Sequence, residues 1–320
     1  MLKMRFALGV LWAGLLILSA SFVCGQDYPN KPIRIVTLSP GGGLDFAARL
    51  IAQGVSGPLG QNVIVDNRGG PYLSGEIVAN APPDGYTLLV SSNNLWLTPV
   101  IQSNVPYDPV RDFSPITMVA RSPSILVVHP SVPIKSVKEL IALAKARPGA
   151  LNYASGITGG ADHLAAELFK AMAEVNIVRI AYKGSGPAIL DLLGGHVQMQ
   201  FGTAGAVAPH IKSGRLTALA VTSVKPFAAF PDLPTVAATL PGYEAVQILG
   251  VWAPAKTPVA VINRLNQEIV RAINSPEIKD RFLSSGVEVA SGTADLFASI
   301  IKVDLAKWSK VIKDAGIREN

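Results

Sequence analysis

Lys31-Pro-Ile-Arg-Ile-Val-Thr-Leu-Ser-Pro-Gly-Gly-Gly-Leu-Asp-Phe-Ala-Ala-Arg-Leu50 contains the unit from which the rest of the chain is built. The apolar run 31–38 reads as a short strand, and Ser39 to Gly43 breaks it. Phe46, Leu50, Ile51 and Val55 then recur at helical spacing, with Gly57-Pro58 as the expected stop. Strand, glycine turn and helix recur downstream. Residues 63–66, 86–90, 124–128, 177–181, 197–201 and 216–221 read as strands. Residues 137–147, 161–172, 187–193, 258–273, 276–283 and 295–312 read as helices, and Pro187 suits a first helical turn, where no N–H is needed. Strands alternating with helices at this interval predict an α/β fold with mostly parallel sheets flanked by helices.

The amino terminus reads as a targeting segment. Lys3 and Arg5 precede an uncharged stretch from Phe6 to Val23, and Val23 and Gly25 occupy the −3 and −1 positions of a cleavage before Gln26. Residues 1–25 are therefore expected to be a signal peptide. A lipidated Cys24 and a retained membrane anchor are the alternatives, although Phe22 and Val23 are large for a lipoprotein signal. Cleavage removes the single cysteine of the 320 residues, leaving no disulfide and no thiolate metal site. The hydrophobic fraction of 49% is ample for two packed domains. The net charge of +6 includes Lys3 and Arg5, and what remains is spread without any basic run. Such a balance suits a small anion and gives no footprint for nucleic acid.

One internal echo stands out. Gly42-Gly43-Leu44-Asp45-Phe46-Ala47-Ala48 is matched by Gly159-Gly160-Ala161-Asp162-His163-Leu164-Ala165-Ala166, each following a strand and opening a helix. Such turns aim backbone N–H groups, with the positive end of a helix dipole, at an anion. They serve equally as tight turns whose Asp45 and Asp162 cap the first helical turn. Lys183-Gly-Ser-Gly-Pro187 forms a third loop of the same kind. No nucleotide P-loop, dinucleotide fingerprint or nucleophile elbow occurs. His129, His163, His196 and His210 have no partner at metal-ligand spacing, and only His163 sits beside a glycine loop. Trp96 and Trp252 read as core or rim aromatics.

Many short motifs in fixed order make the chain resemble the Bug family, the solute receptors of tripartite tricarboxylate transporters. They include Tyr28-Pro-Asn-Lys-Pro-Ile-Arg-Ile-Val36, Pro40-Gly-Gly-Gly-Leu-Asp45, Val65-Asp-Asn-Arg-Gly69 and Ala81-Pro-Pro-Asp-Gly-Tyr-Thr-Leu-Leu89. Leu126-Val-Val-His-Pro130, Leu151-Asn-Tyr-Ala-Ser155, Tyr182-Lys-Gly-Ser-Gly-Pro187 and Leu240-Pro-Gly-Tyr243 continue the series. The resemblance implies a two-lobed fold like the type II periplasmic binding proteins, closing on a small organic anion such as a carboxylate. Carried over residue by residue, it implies ligand contacts from Pro40, Gly41, Gly42 and Asp45 in the first loop. The second loop contributes Ser155, Thr158, Gly159, Gly160 and His163. Gly184, in a third loop that reads equally as a plain turn, and Thr203 are further expected ligand contacts. The chain departs from the family pattern at Leu38, where an aromatic is common, and at Gly202-Thr203, where an acid or amide is common.

The expected protein is thus a periplasmic, monomeric receptor without cofactor, metal or catalytic residues, partnered by membrane transporter subunits. A secreted enzyme acting on a carboxylated substrate, using Asp45 or His163, and a receptor fold used in signalling are the alternatives. Two crossings between lobes are expected, near 124–128 and near 246–252. They place residues 26–124 with 250–320 in lobe one and 125–249 in lobe two. If the glycines let backbone approach the ligand, Gly42→Ala and Gly159→Ala should each weaken anion binding at least tenfold, about 1.4 kcal/mol, by calorimetric titration. The ligand-free melting temperature should fall by only a few degrees.

Overall fold

The structure, a computed structural model, describes residues 28–70 and 72–318. The signal peptide expected at 1–25, with Cys24, lies outside the described residues. Strand β1 (Ile33–Thr37) leads through the glycine loop into helix α1 (Gly43–Leu59), followed by β2 (Val63–Asn67), α2 (Leu73–Ala79), β3 (Thr87–Ser92) and α3 (Asn94–Ile101). A long strand, β4 (Phe113–Val128), then introduces α4 (Val137–Ala146), β5 (Asn152–Ser155), α5 (Ala161–Ala173), β6 (Val178–Ala181) and α6 (Ser185–Leu193). Next come β7 (Met199–Thr203), α7 (Ala204–Lys212), β8 (Thr217–Val221) and β9 (Val246–Pro254). The chain closes with α8 (Val259–Ile273), α9 (Pro276–Ser284), β10 (Glu288–Val289) and α10 (Ala294–Asp314).

The strands follow the path β2-β1-β3-β9-β4-β7-β5-β6, with β8 and β10 also paired to β4. The β1–β2, β1–β3, β5–β6 and β5–β7 ladders are parallel, as strand–helix–strand crossovers require. Every ladder involving β4 or β9 is antiparallel, so the sheet is mixed at its centre. Strand β4 serves both halves: Phe113 to Pro123 pair β9, whereas Ser124 to Val128 pair β7 and β8. The run expected as a strand at 124–128 is only its last third. Polar residues and two prolines in Ser114-Pro-Ile-Thr-Met-Val-Ala-Arg-Ser-Pro123 disguise the earlier part, and the register shifts at Pro115/Thr117 absorb one of those prolines.

Helix α1 runs through the expected stop at Gly57-Pro58 and ends at Gly60, whose φ of 64° supplies the left-handed cap. Its apolar face (Ala47, Leu50, Ile51, Val55) is buried together with Ile262, Leu265 and Ile269 of α8. A Cβ at Gly54 would lie 2.7 Å from that of Ala272, so glycine permits the close approach of these helices. Helices α2, α3 and α7 had no expectation from the sequence. They are only seven to nine residues long, with Pro99 inside α3 and Pro209 inside α7, which weakens any periodic signal.

Trp96 and Trp252 are core residues, in contact at 5.9 Å between ring centroids. The buried Asp304 carboxylate of α10 accepts both the Trp96 indole N–H (2.9 Å) and the Trp308 indole N–H (3.0 Å), tying α3 to the carboxyl-terminal helix. Burial raises the Asp304 pKa, with Lys307 and the two indoles opposing it. Asp304→Ala leaves two buried donors unpaired at about 1–3 kcal/mol each. At roughly 2–4 °C per kcal/mol, its ligand-free melting temperature should fall by at least about 4 °C. Asp304→Asn, which keeps one acceptor, should lose less; equal losses would refute this account.

Candidate functional site

The carboxyl ends of β1, β5, β6 and β7 each pass directly into a helix, and ligands of α/β folds collect at such ends. The four helix starts are capped by Gly42 (α1), Gly160 (α5), Gly184 (α6) and Thr203 (α7), and none of these caps carries a side-chain hydrogen bond. First-turn amides without a side-chain acceptor are available to an anion. Three adjoining cavities lie along these helix starts. The first, of about 430 Å³, touches Gly41, Gly42 and Gly43 on one side and Thr203 and Gly205 on the other. The second, of about 320 Å³, meets Leu38, Tyr107, Thr158 and Gly159. The third, also of about 320 Å³, is bounded by Gly160, Gly184, Gln200 and Thr203. Thr203 and Gln247 border the first and third, Asn94 and Ile157 the second and third, so the three form one cleft. Among the described residues, no Lys, Arg or His lines any of them.

In the first loop Asp45 turns away from the cleft. Its carboxylate accepts the Gly41 N–H (2.9 Å) and the Asn67 side-chain amide (2.9 Å), and pairs with Arg49 (2.9 Å). Burial raises the Asp45 pKa, but the bonds from Arg49, Gly41 and Asn67 outweigh it and hold the group below the ordinary carboxylate range. Pro40 is exposed at the loop's tip and borders none of the three cavities. Gly41 has φ of 81°, a conformation that glycine adopts freely.

The second loop is wired in the same way, with a cation added. Asp162 accepts the Gly156 N–H (2.6 Å) and the His163 N–H (2.9 Å); burial raises its pKa and those two amides oppose the rise. Arg179 of β6 donates to Ser155 Oγ (2.8 Å), Thr158 Oγ1 (3.3 Å) and the Gly156 carbonyl (3.2 Å). His163 is buried, and its Nδ1 accepts the Gly159 N–H at 3.0 Å. Burial, reinforced by Arg179, drives its pKa from 6.5 down to about 4. Ser155 and His163 therefore build the loop rather than line the cleft, whereas Thr158, Gly159, Gly160, Gly184 and Thr203 do line it.

Gly42 and Gly159 differ. Gly42 has φ of −85° and a Cβ there would meet only the Ser39 carbonyl oxygen, at 3.8 Å, so Gly42→Ala remains a clean probe of ligand approach. Gly159 has φ of 74°, a Cβ there would overlap Ile101 Cδ1, and its N–H is already given to His163. The expectation that Gly159→Ala would spare stability is therefore corrected: that substitution strains the backbone and tests folding. Arg179, Gln200 and Gln247 had no expectation from the sequence. Each is a polar residue inside a short apolar strand, and that interruption was their signal.

A depressed histidine pKa makes stability depend on pH. Between pH 6.5 and about 4 the unfolded chain binds the proton that folded His163 refuses. Its contribution is full above pH 6.5 and is lost as pH falls toward 4, to a total of about 3 kcal/mol. Denaturant unfolding across this window should show the protein losing that much relative to His163→Gln. A difference between the two that does not vary with pH would refute a buried neutral imidazole.

Residues 47–317 match the family described as TctC, tripartite tricarboxylate transporter family receptor. Protein BugT of Bordetella pertussis is 36% identical over 305 residues, covering 93% of this chain and 94% of BugT. Among solved structures, R. palustris Rpa4515 with adipate superimposes with a TM-score of 0.78 at 34% identity, over 91% of this chain and 99% of that one. MatC of Rhodopseudomonas palustris with bound malate gives 0.71 at 25% identity, over 89% and 100%. With a two-lobed α/β fold, paired glycine loops and a family match across most of its length, the chain belongs to the TctC family of periplasmic solute-binding receptors.

Proposed function

We propose that this receptor captures a small organic carboxylate between its lobes and delivers it to the membrane subunits of a tripartite tricarboxylate-type transporter. One observation carries the reading: four helix starts whose cap residues make no side-chain hydrogen bond face a cleft that, among the described residues, no Lys, Arg or His lines. The anion is held by backbone amides, with each helix end worth about 0.3–1 kcal/mol and more where partly buried. The carboxylate ligands named for the R. palustris relatives, adipate and malate, support this class. In this reading Gly42, Thr158, Gly160, Gly184 and Thr203 present groups to the ligand. Pro40, Gly41, Asp45, Ser155, Gly159 and His163 shape the loops that present them. Asp45 and His163, which an enzymatic reading would require, are both engaged within their own loops.

Residues 26–124 with 250–320 form lobe one in this proposal, and 125–249 form lobe two. The change of partners along β4 between Pro123 and Ser124 supports the first crossing. The second lies at the start of β9, where Val246 already pairs Pro123. The protein acts as a monomer in the periplasm after cleavage before Gln26. The test is calorimetric titration with adipate, succinate and butyrate beside their neutral amides. A carboxylate should bind at least tenfold more tightly than its amide, about 1.4 kcal/mol. Gly42→Ala should weaken the carboxylate by a similar factor with little change in ligand-free melting. Equal affinity for amide and acid would defeat the mechanism.

A further inference from the structure

The two flanks of the cleft are held together unequally. On one flank α10 packs against both α3 and α5. Trp96 and Leu97 of α3, Leu164 and Leu168 of α5, and Trp308 and Ile312 of α10 belong to a single buried cluster. Lys307 of α10 also donates to the Glu244 carbonyl at 3.0 Å. Parting this flank would bring packed apolar surface into water. On the other flank the start of α7 touches the turn after α9 at glycines. A Cβ at Gly286 would lie 2.5 Å from that of Ala204, and one at Gly205 would lie 3.2 Å from the Ser285 carbonyl oxygen. Beside this touch the Ala228 N–H donates to Glu288 Oε1 at 2.9 Å. A fourth cavity, of about 280 Å³, lies against the same touch. Gly205 borders it and the first cavity alike, while Ser285 and Val287 line the first and Ser284 and Gly286 the fourth. The meeting of α7 with that turn is therefore the wall between the two cavities. Ala208, Phe230 and Leu283 make the fourth cavity largely apolar, Lys212 is its cation, and no acid lines it. Lys212 is exposed, and among the described residues no ion pair engages it.

Resting on the receptor reading and the lobe division above, we propose that the α7–α9 flank is the mouth of the receptor and that Lys212 is the encounter site for the incoming anion. The lobes part where glycines touch and pivot where α10 is packed into both. When they part, the wall at Gly205 and Gly286 opens and the first and fourth cavities become one channel. Its outer part carries the full positive charge that lining residues of the cleft do not supply. A small carboxylate is drawn to Lys212 and passes inward to the helix starts. Closure rebuilds the wall and leaves Lys212 outside it. Lys212 thus stabilises the anion in passage and contributes little once it is bound. Substitution of such a group slows arrival and departure by the same factor, because the ratio of the two rates depends only on the free and bound states.

The test is stopped-flow association and displacement on the full mature chain, using whichever of adipate, succinate and butyrate titrates most tightly. At low ionic strength Lys212→Glu should slow association and release by at least about fivefold each, with the dissociation constant held within about twofold. Lys212→Met should give an intermediate slowing. In about 1 M salt, where charges are screened within about 3 Å, the variants should match the unaltered protein. Lys302→Glu makes the same charge change on α10, at an exposed position that borders none of the four cavities, and should leave both rates within about twofold. Hydrogen exchange locates the mouth separately. Residues 226–230 border none of the three cleft cavities, so protection gained there on adding the anion reports closure rather than contact. Unchanged rates in both Lys212 variants, equal slowing in Lys302→Glu, or weaker binding without slower release each overturns the encounter site. Exchange at 226–230 that ignores the anion overturns the mouth. Each of these results leaves carboxylate capture standing, since titration has already shown it. If no member of the panel titrates, the receptor reading falls and this assignment falls with it.

Discussion

Sixteen consecutive residues, Phe113–Val128, run as one strand through both halves of the sheet, and the geometry of the cleft follows from that continuity. Up to Pro123 the strand is bonded to β9, and from Ser124 onward it is bonded to β7 and β8. The change of partners is secured by Thr222, whose hydroxyl accepts from the Ser124 amide at 2.7 Å and donates to the Ser124 carbonyl at 3.1 Å. Beside it, Arg121 pairs with Glu244 at 2.7 Å, and Lys307 donates to the Glu244 carbonyl at 3.0 Å. Because a strand's hydrogen-bond ladder fixes both spacing and face, the glycine loop after β1 and the loops after β5, β6 and β7 are held in register across the cleft.

Among the described residues, no cationic side chain stands at the wall of that cleft. A lysine or arginine would bring a full charge whose own desolvation must be compensated in the empty state. Helix ends present only partial positive charge, spread over several first-turn N–H groups that water can solvate, so the empty site is less costly. The two loop acids would cancel this field if they pointed inward. Asp45 stands off the cleft wall and Asp162 borders the third cavity, but both accept amides of their own loops, at Gly41 and at Gly156 and His163, so their charge tightens the turns. Arg179 does for the second loop what Arg49 and Asn67 do around Asp45 in the first: it braces the turn from behind.

The two glycine loops look alike in sequence but are stabilised differently. The first is exposed at Gly41, Gly42 and Gly43 and leans on Asp45 alone for its amide contact. The second is buried around Gly159 and Gly160, with Arg179, Asp162 and a neutral His163 meeting in it. Protonating His163 removes the acceptor for Gly159, so the second loop is the one whose shape is coupled to pH. An arginine nearby keeps that imidazole neutral in addition to burial.

Local sequence was enough for the alternation of strand and helix, the α/β class, the glycine turns at 41–43 and 159–160, and the pairing of Asp45 and Asp162 with them. These depend on residue spacing and on conformations that few residue types adopt, so they can be read without knowing what lies across the fold. Tertiary structure alone decided the rest. The first two-thirds of β4 carry prolines and polar residues, and become strand because β9 lies alongside with register shifts that accommodate them. Helix α1 passes Gly57-Pro58 because its last turn still buries Leu59. Arg179 and Gln200 are single polar residues in apolar strands, and nothing local says which of them will find partners. Arg179 meets three groups of the second loop, whereas the Gln200 oxygen meets none among the described residues, since packing of β7 beneath α6 and α7 sets what each can reach.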